Sequence, residues 1–354
     1  MALGSNHTGV LLASASGSKG FVPEIWEDDV IAQYKANLVL ANLVSKINHS
    51  GRKGDVINLP SITDRNTAAP TAKTVNNAVT LVPAAASEVI LTIDQHWEYS
   101  FLYEDITSLQ ALDSLRRHYT DHAGYALARK TDQVLWKYFK GMEPAGGTGA
   151  DNFDAGVIGS DGTTPWSGTA NINTGNAAAL TDAGIRKMMQ SLDDNDVPMS
   201  DRNIVIPPVE RNNLMGLARF TEQAFVGEGG ANNTIRNGNI GQVYGVGVYI
   251  STNCPYVHVD DNDGSTAFMF TSTLLTSTGT DDIGQAYNIA GTDAVTGRVG
   301  AMFHKQAVVH AEQQGVRTQT QYKQEYLGDL FTADCIFGVQ EQRDYAAVPF
   351  FVAD

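Results

Sequence analysis

VILTIDQHWEYSFLY, residues 89–103, is the stretch whose reading decides the fold. Val89, Leu91, Ile93, Trp97, Tyr99, Phe101 and Tyr103 recur at period two on one face. Thr92, Asp94, His96, Glu98, Ser100 and Glu104 take the other, with Ile90 and Leu102 as exceptions. Read as one strand, this stretch spans about 50 Å, where a common strand has about 5–6 residues. A strand so long has to leave one compact unit and enter another.

The period then changes to that of a helix. Ile106, Leu109, Leu112, Leu115, Tyr119, Ala123, Ala126, Val134 and Tyr138 lie three or four apart, and the run stops at Gly141 and Pro144. A helix over 106–140 would be about 52 Å long, roughly three times the usual length. Beside the long strand it predicts an elongated, wall-like molecule.

Upstream, residues 1–20 are rich in Gly, Ser, Ala and Thr, carry no periodicity and read as an arm. Pro23 and the acidic Glu24, Glu27, Asp28 and Asp29 suit a helix start. Ile31, Tyr34, Leu38 and Ala41 extend that helix over about 24–47. Residues 51–94 read as an extended two-stranded excursion: Val56–Leu59 is one strand candidate, and Val75, Asn77, Val79 and Leu81 alternate with polar or small residues. Such a hairpin has little core of its own and leans on something else, for instance another subunit.

Downstream, residues 141–180 are a Gly/Thr/Asn/Asp-rich insertion with Trp166 as its one large anchor. A smaller α/β pattern follows. Thr181 caps a helix with Ile185, Met188, Met189 and Leu192 on its apolar face. Ile204–Ile206 is a buried strand stopped by Pro207-Pro208, and Leu214 and Leu217 sit on a short helix. Residues 220–239 and 271–300 read as loops. Val246, Val248 and Ile250 form a strand, as does Phe268–Phe270. Met302–His310 is mixed, Val316, Thr318, Thr320 and Tyr322 alternate, and Cys335–Val339 is the final apolar strand.

Composition narrows the function. Net charge is −15, and no Lys/Arg run exceeds a pair, as at Arg116-Arg117. Gripping duplex phosphates is therefore not the task, although an acidic wall suits a container for DNA. Charged residues make up 18 %, below the usual ~25 %, which fits a surface largely covered by partners. Cys254 and Cys335 form no CxxC and have no histidine pair nearby, so neither a zinc site nor a disulfide framework is supported. The first residues lack the pattern of a secretory signal, and no stretch nears the ~20 apolar residues of a membrane span.

Catalytic motifs are sparse, and no catalytic, cofactor-binding or metal residue is assigned. His118 and His122 share the i, i+4 spacing of a metal pair, but Tyr119 stands where a zincin has Glu. Asp193, Asp194 and Asp196, and Asp260, Asp261 and Asp263 before Gly264, do not fit a calcium loop and read as acidic turns. The glycines at 146–149, 227–230, 245 and 247 lack a Walker Lys-Ser/Thr and the full dinucleotide fingerprint. There is no GxSxG elbow. His304, His310 and Glu312 are close in sequence; a strand would set the two histidines on one face about 20 Å apart, so they read as surface or interface groups.

Read together, FVPEIWEDDVIAQYKANLVLANLV (21–44), ALARKTDQVLWKYF (126–139), RNIVIPPVERNNLMGL (202–217), QVYGVGVYISTNCP (242–255) and the run from Ala301 to Val348 resemble the tailed-bacteriophage major capsid proteins of the Hong Kong 97-like fold. The resemblance implies an α+β chain with an N-terminal arm (1–48), an extended loop (49–92), a peripheral domain (93–180 and 301–354, with a spine helix at about 106–140) and an axial domain (181–300). It implies a structural subunit, not an enzyme, with no cofactor. Such a subunit assembles into hexamers and pentamers of an icosahedral head enclosing double-stranded DNA without sequence-specific binding. In the family the extended loop lies over a neighbouring subunit and peripheral domains meet at threefold points. The implied partners are further copies of itself, a portal, a separate scaffolding protein (some members carry a scaffolding segment before the arm; here the arm starts within about 20 residues of Met1, which implies a separate protein if this is the full product) and, in some members, a decoration protein. No membrane is involved. The implied location is the virion, and the host cytoplasm during assembly. Some members crosslink a loop lysine to a neighbour's asparagine; Lys73 lies in the corresponding region, with no partner motif to match it. An encapsulin-type shell is the alternative within the same fold. A metal-dependent or serine hydrolase would need a convergent acid, base and nucleophile that the sequence does not supply, and a fibre protein would be richer in β repeats.

Overall fold

A computed structural model describes residues 39–51, 53–62, 72–73, 75–76, 86–104, 113–139, 142, 158–159, 179–217, 241–260, 267–271, 279–280, 286–287 and 297–353. In chain order the elements begin with α1 (Leu40–Leu43), β1 (Ser45–Asn48), β2 (Val56–Ile62), β3 (Ala86–Thr92), β4 (Gln95–Glu104), α2 (Asp113–Phe139) and β5 (Ile158–Gly159). Next come α3 (Asp182–Asp194), β6 (Arg202–Ile206), α4 (Pro208–Met215), β7 (Gln242–Val243), β8 (Val246–Ile250), β9 (Tyr256–Asp260) and β10 (Ala267–Thr271). The chain ends with β11 (Gly279–Thr280), β12 (Ala286–Tyr287), β13 (Gly297–His304), β14 (Val308–Lys323), β15 (Gly328–Glu341), a 3₁₀ turn at Asp344–Ala346 and β16 (Ala347–Ala353).

Two sheets carry the molecule. One has four strands in the order β1-β14-β15-β4, parallel at β1/β14 and antiparallel elsewhere. The other follows the path β10-β9-β13-β6-β8-β7, with β16 paired to β13 and β5 to β16. β2 and β3 form a separate hairpin, paired from Val56↔Thr92 to Ile62↔Ala86.

The long helix joins these layers. At 1.5 Å per residue its 27 described residues span about 40 Å. Ala123, Leu127, Val134, Leu135, Trp136 and Phe139 are buried. On the four-stranded sheet it meets β15, β14 and β4. At its C-terminal end the Phe139 ring lies 4.9 Å from that of Phe303 on β13, which ties the second sheet to the same core. Each fully buried large apolar side chain here contributes roughly 1.5–3 kcal/mol.

Local chemistry explains the smaller elements. The Thr181 side chain accepts a hydrogen bond from the Gly184 N–H at 3.1 Å and caps α3, and Ile185, Met188 and Leu192 are buried beneath it. Pro207 and Pro208 end β6 and open α4, because proline's missing N–H costs nothing in a first helical turn.

Three expectations change. The strand expected over 89–103 is two strands in different sheets, broken at Ile93-Asp94. There the chain steps off the hairpin and onto the edge of β15, crossing Gly338 so closely that a Cβ on that glycine would lie 2.5 Å from the Thr92 carbonyl oxygen. The alternation survives the step: Leu91 and Ile93 are buried, while Ile90 and Leu102 are exposed as their polar-face positions require.

The helix expected over 24–47 is seen only in its last part, since 1–38 lie outside the described residues. It ends at Leu43; Val44 is extended, and Ser45–Asn48 is a strand on β14, in register Ser45↔Val309 to Asn48↔Glu312. The open edge of β14 offers backbone partners there, and Ile47 packs with Leu91, Val309 and Ala311. Cys335–Val339 lies within β15 and is not the final strand: β16 follows and pairs along β13. Of the helix expected over 106–140, residues 113–139 are described and helical.

Candidate functional site

The residues weighed for chemistry do not converge. His122 is exposed, with the Tyr99 ring edge-on at 6.0 Å; the His118 side chain lies outside the described residues. Asp193 pairs with the buried Arg202 at 2.7 Å, a structural link between α3 and β6. Gly245 follows Tyr244 in the tight β7–β8 turn, both at positive φ (81° and 52°), as a two-residue hairpin turn demands. Asp261, Asp263 and the glycines of 146–149 and 227–230 lie outside the described residues. Cys254 and Cys335 are free and buried, and burial pushes both thiols up. Among the described residues no three His, Cys, Asp or Glu side chains come together as a metal site.

His304 and His310 are not surface groups. Each is 6 % exposed, and they sit on successive strands, not on one. His310 lies against the Phe337 ring at 5.5 Å, and neither ring nitrogen has a partner in the structure. Burial, with Lys46 nearby, lowers its pKa from 6.5 to about 4. The neutral ring is therefore the folded form, and its contribution to stability is present above pH 6.5 and lost as pH falls towards 4. The loss approaches 3 kcal/mol at about 1.36 kcal/mol per pKa unit. His310→Leu should remove it. The stability difference between wild type and variant, from urea unfolding at a series of pH values, should change by about that amount between pH 7 and 4. Parallel curves would contradict this.

What the structure does present is surface reaching beyond the core. Every β14 residue from Val316 to Tyr322 is exposed, so that part of the strand is bare on both faces. β1 flanks β14 only over Val309–Glu312. At the tip Tyr322 is 46 % exposed, Tyr326 62 % and Leu327 65 %, and Leu102 on β4, opposite Leu330, is exposed too. Leu327 holds a positive φ of 45°, a strained conformation for a branched side chain. An Arg317–Asp334 pair stiffens the ribbon below: Arg317 donates from Nε at 3.1 Å and Nη2 at 2.8 Å, and Gln314 adds a bond at 3.0 Å. The Arg317 hydrogen bonds hold the Asp334 carboxyl below its usual pKa.

The β2–β3 hairpin is the second such surface. Its base is anchored: Leu91 is buried with Val309 and Ala311, Ile57 and Leu59 pack beside them, and the Ile93 N–H donates to the Asp55 carbonyl at 2.7 Å. On the opposite face of the same pairs, Val56 and Ile90 are exposed. Lys73 is exposed, and the tip residues Thr67, Ala68 and Ala69 lie outside the described residues. The hairpin had a signal in the sequence, since an extended excursion with little core of its own is legible there, whereas for β14 the sequence showed alternation alone. The tip residues had none.

Residues 99–339 match the model of the phage capsid protein family, which covers more than half of the chain. The chain belongs to the phage capsid protein family. Solved structures agree on the fold of this capsid protein. One, from Mycobacterium phage Che8, is 22 % identical, with a TM-score of 0.61 over 94 % of this chain and 97 % of that one. The capsid of cyanophage P-SCSP1u gives a TM-score of 0.67 at 18 % identity, over 98 % and 97 %. The cyanophage Pam1 capsid gives 0.63 at 13 % identity, over 97 % and 99 %. None of the curated proteins matches the chain in sequence. The capsid protein thus has the mixed helix-and-sheet fold of phage capsids, as the resemblance to Hong Kong 97-like major capsid proteins implies. An encapsulin-type shell is not favoured by these matches, and membership of this family marks the chain as a structural protein.

Proposed function

We propose that this chain is the shell-forming subunit of a tailed-phage head. It assembles with itself into hexamers and pentamers of an icosahedral shell that encloses double-stranded DNA. The observation that carries this reading is the bare ribbon of Val316–Tyr322 with its apolar tip, in a chain of the capsid family. A soluble monomer gains nothing from a strained, exposed leucine beside two exposed tyrosines, but a subunit contact does. Many weak, repeated contacts of this kind close a symmetric shell without a strong pairwise bond.

In this reading residues 1–48 are an arm and 49–92 an extended loop over a neighbouring subunit. The four-stranded sheet and long helix form the peripheral domain, whose ribbon tips meet at threefold points. The axial domain is built on residues 181–300, and their sheet, shared with β13 and β16, favours counting the last strand with it. The net charge of −15 supports a wall that does not grip DNA, so the packaged duplex is held without sequence-specific contacts. A portal, a separate scaffolding protein and a decoration protein are its further proposed partners. The assembled subunit resides in the virion after assembly in the host cytoplasm.

Sedimentation velocity on the purified protein, alone and with the phage's scaffolding protein, tests the reading. Pentamer, hexamer or shell-sized species are expected. A monomer or dimer at every protein concentration would overturn it.

A further inference from the structure

The bare stretch of β14 also has an open edge. β1 pairs with this edge from Val309 to Glu312, and a last bond runs from the His49 N–H to the Glu312 carbonyl at 3.0 Å. Beyond Glu312 no strand among the described residues lies on that side of β14, while on the other side β15 pairs with it as far as Lys323. An exposed edge is a template for another strand, and proteins usually blunt one with proline or charge. The run VRTQTQY, Val316–Tyr322, has no proline and no acidic residue. Its one cation, Arg317, is held by the Asp334 carboxylate of β15 at 3.1 and 2.8 Å. Val316 and Tyr322 stand exposed at its two ends.

A second copy of the same edge fits it. Two like edges related by a twofold axis pair antiparallel, and their outward backbone groups meet only in registers centred on a residue. Centred on Thr320, Arg317 would face Lys323 of the second copy twice, and like charges directly opposite destabilise a sheet. Centred on Thr318, Gln314 and Gly315 would face Tyr322 and Gln321, across the irregularity between Gln314 and Arg317. Centred on Gln319, the pairing covers Val316–Tyr322 whole, sets no like charges together and reaches the irregularity only at Val316. Val316 then faces Tyr322 of the second copy twice, and Thr318 faces Thr320 twice. Such β-branched–aromatic and Thr–Thr pairs favour antiparallel strands. Arg317 faces Gln321, and Gln319 faces its own counterpart.

We propose that the open edge of β14 binds the same edge of a second copy of this chain, antiparallel about Gln319, and joins two four-stranded sheets into one. The contact is isologous, so a single surface serves both partners and the pairing closes on itself. Antiparallel pairing also sends the two ribbon tips in opposite directions. In the proposed shell, the reading on which this placement rests, a twofold point between neighbouring capsomers is flanked by two threefold points, and each tip runs towards one of them. One ribbon then makes two contacts, its edge at the twofold and its tip at the threefold.

Disulfide trapping in the intact chain reads the register. Directly opposed residues have Cα atoms about 4.5–5.5 Å apart, within disulfide reach; two residues out of step they are about 8 Å apart and beyond it. After oxidation, Gln319→Cys should run largely as a covalent dimer. Thr318→Cys and Thr320→Cys should each give at least about tenfold less. The double variant Thr318→Cys/Thr320→Cys should restore the dimer, since each cysteine then faces the other's position, and it carries the test if Gln319→Cys does not fold. The native Cys254 and Cys335 are buried and take no part. Dimers are read on shells where these form and on the concentrated chain otherwise. Dimers without shells uphold the pairing and count against the shell reading. Shells without dimers overturn the pairing alone, as does an equal yield of dimer from either single threonine variant. A chain that gives neither overturns both.

Discussion

Gly338→Ala is expected to lower the stability of the chain by about 2–4 kcal/mol, enough to leave little soluble protein if the fold is marginal. The added Cβ would stand 2.5 Å from the Thr92 carbonyl oxygen, 3.0 Å from Ile93 Cα and 3.1 Å from the Thr92 carbonyl carbon. All three are backbone atoms, so no rotamer change relieves the clash. The crossing segment cannot lift away cheaply either, because Leu91 and Ile93 are buried and the Ile93 N–H is bonded to the Asp55 carbonyl. Alanine's intrinsic advantage over glycine within a strand, roughly 0.5–1 kcal/mol, is too small to compensate. Gly124→Ala is the control. It lies in the long helix with open space around its Cβ position, and should be neutral or stabilising by up to about 1 kcal/mol. Urea midpoints of the two variants decide the matter; equal midpoints would mean that the hairpin does not cross β15 as described.

The largest effect on function is expected at the ribbon tip. A chain carrying Tyr322→Ser, Tyr326→Ser and Leu327→Gly should fold as well as the wild type, because none of the three side chains belongs to the core. The glycine also relieves the positive φ of 45°, a strain of order 1 kcal/mol or more for leucine. Assembly should fail. Removing roughly 1 kcal/mol of apolar contact per side chain, repeated at every symmetry-related site, multiplies into a large loss of closed shells. Thermal unfolding and particle yield, measured on the same preparation, separate the two effects. Normal shells from this variant would place the contacts elsewhere.

Much of the architecture was legible because it rests on periodicity. The faces of 89–102 held residue by residue, including the two misfits: Ile90 and Leu102 broke the pattern of their face chemically but obeyed its geometry, and both are exposed. The same pattern hid the break at Ile93-Asp94, because a step between two sheets that keeps the inward face inward leaves the period intact. β16 escaped notice for the opposite reason. AVPFFVA is buried without alternation and contains Pro349, which reads as strand-breaking. Among the described residues β5 pairs with Phe350 and Phe351 and not with Pro349, whose described neighbour is Ala301 on β13, so the missing N–H is tolerated there.

The turn from helix to strand after Leu43 was invisible in sequence for a third reason. Ile47 fits the face of either element, and only the open edge of β14 decides between them. The buried His310 belongs to the same class. Local sequence gives no sign that a polar residue will be covered by strands it meets only in the folded chain.

Electron microscopy of the expressed protein, alone and with a candidate scaffolding protein, tests most directly whether this chain builds a shell. Closed icosahedral particles, or rings of five and six subunits with the long helix running through the wall, are predicted. Dispersed monomers or dimers under every condition would contradict it.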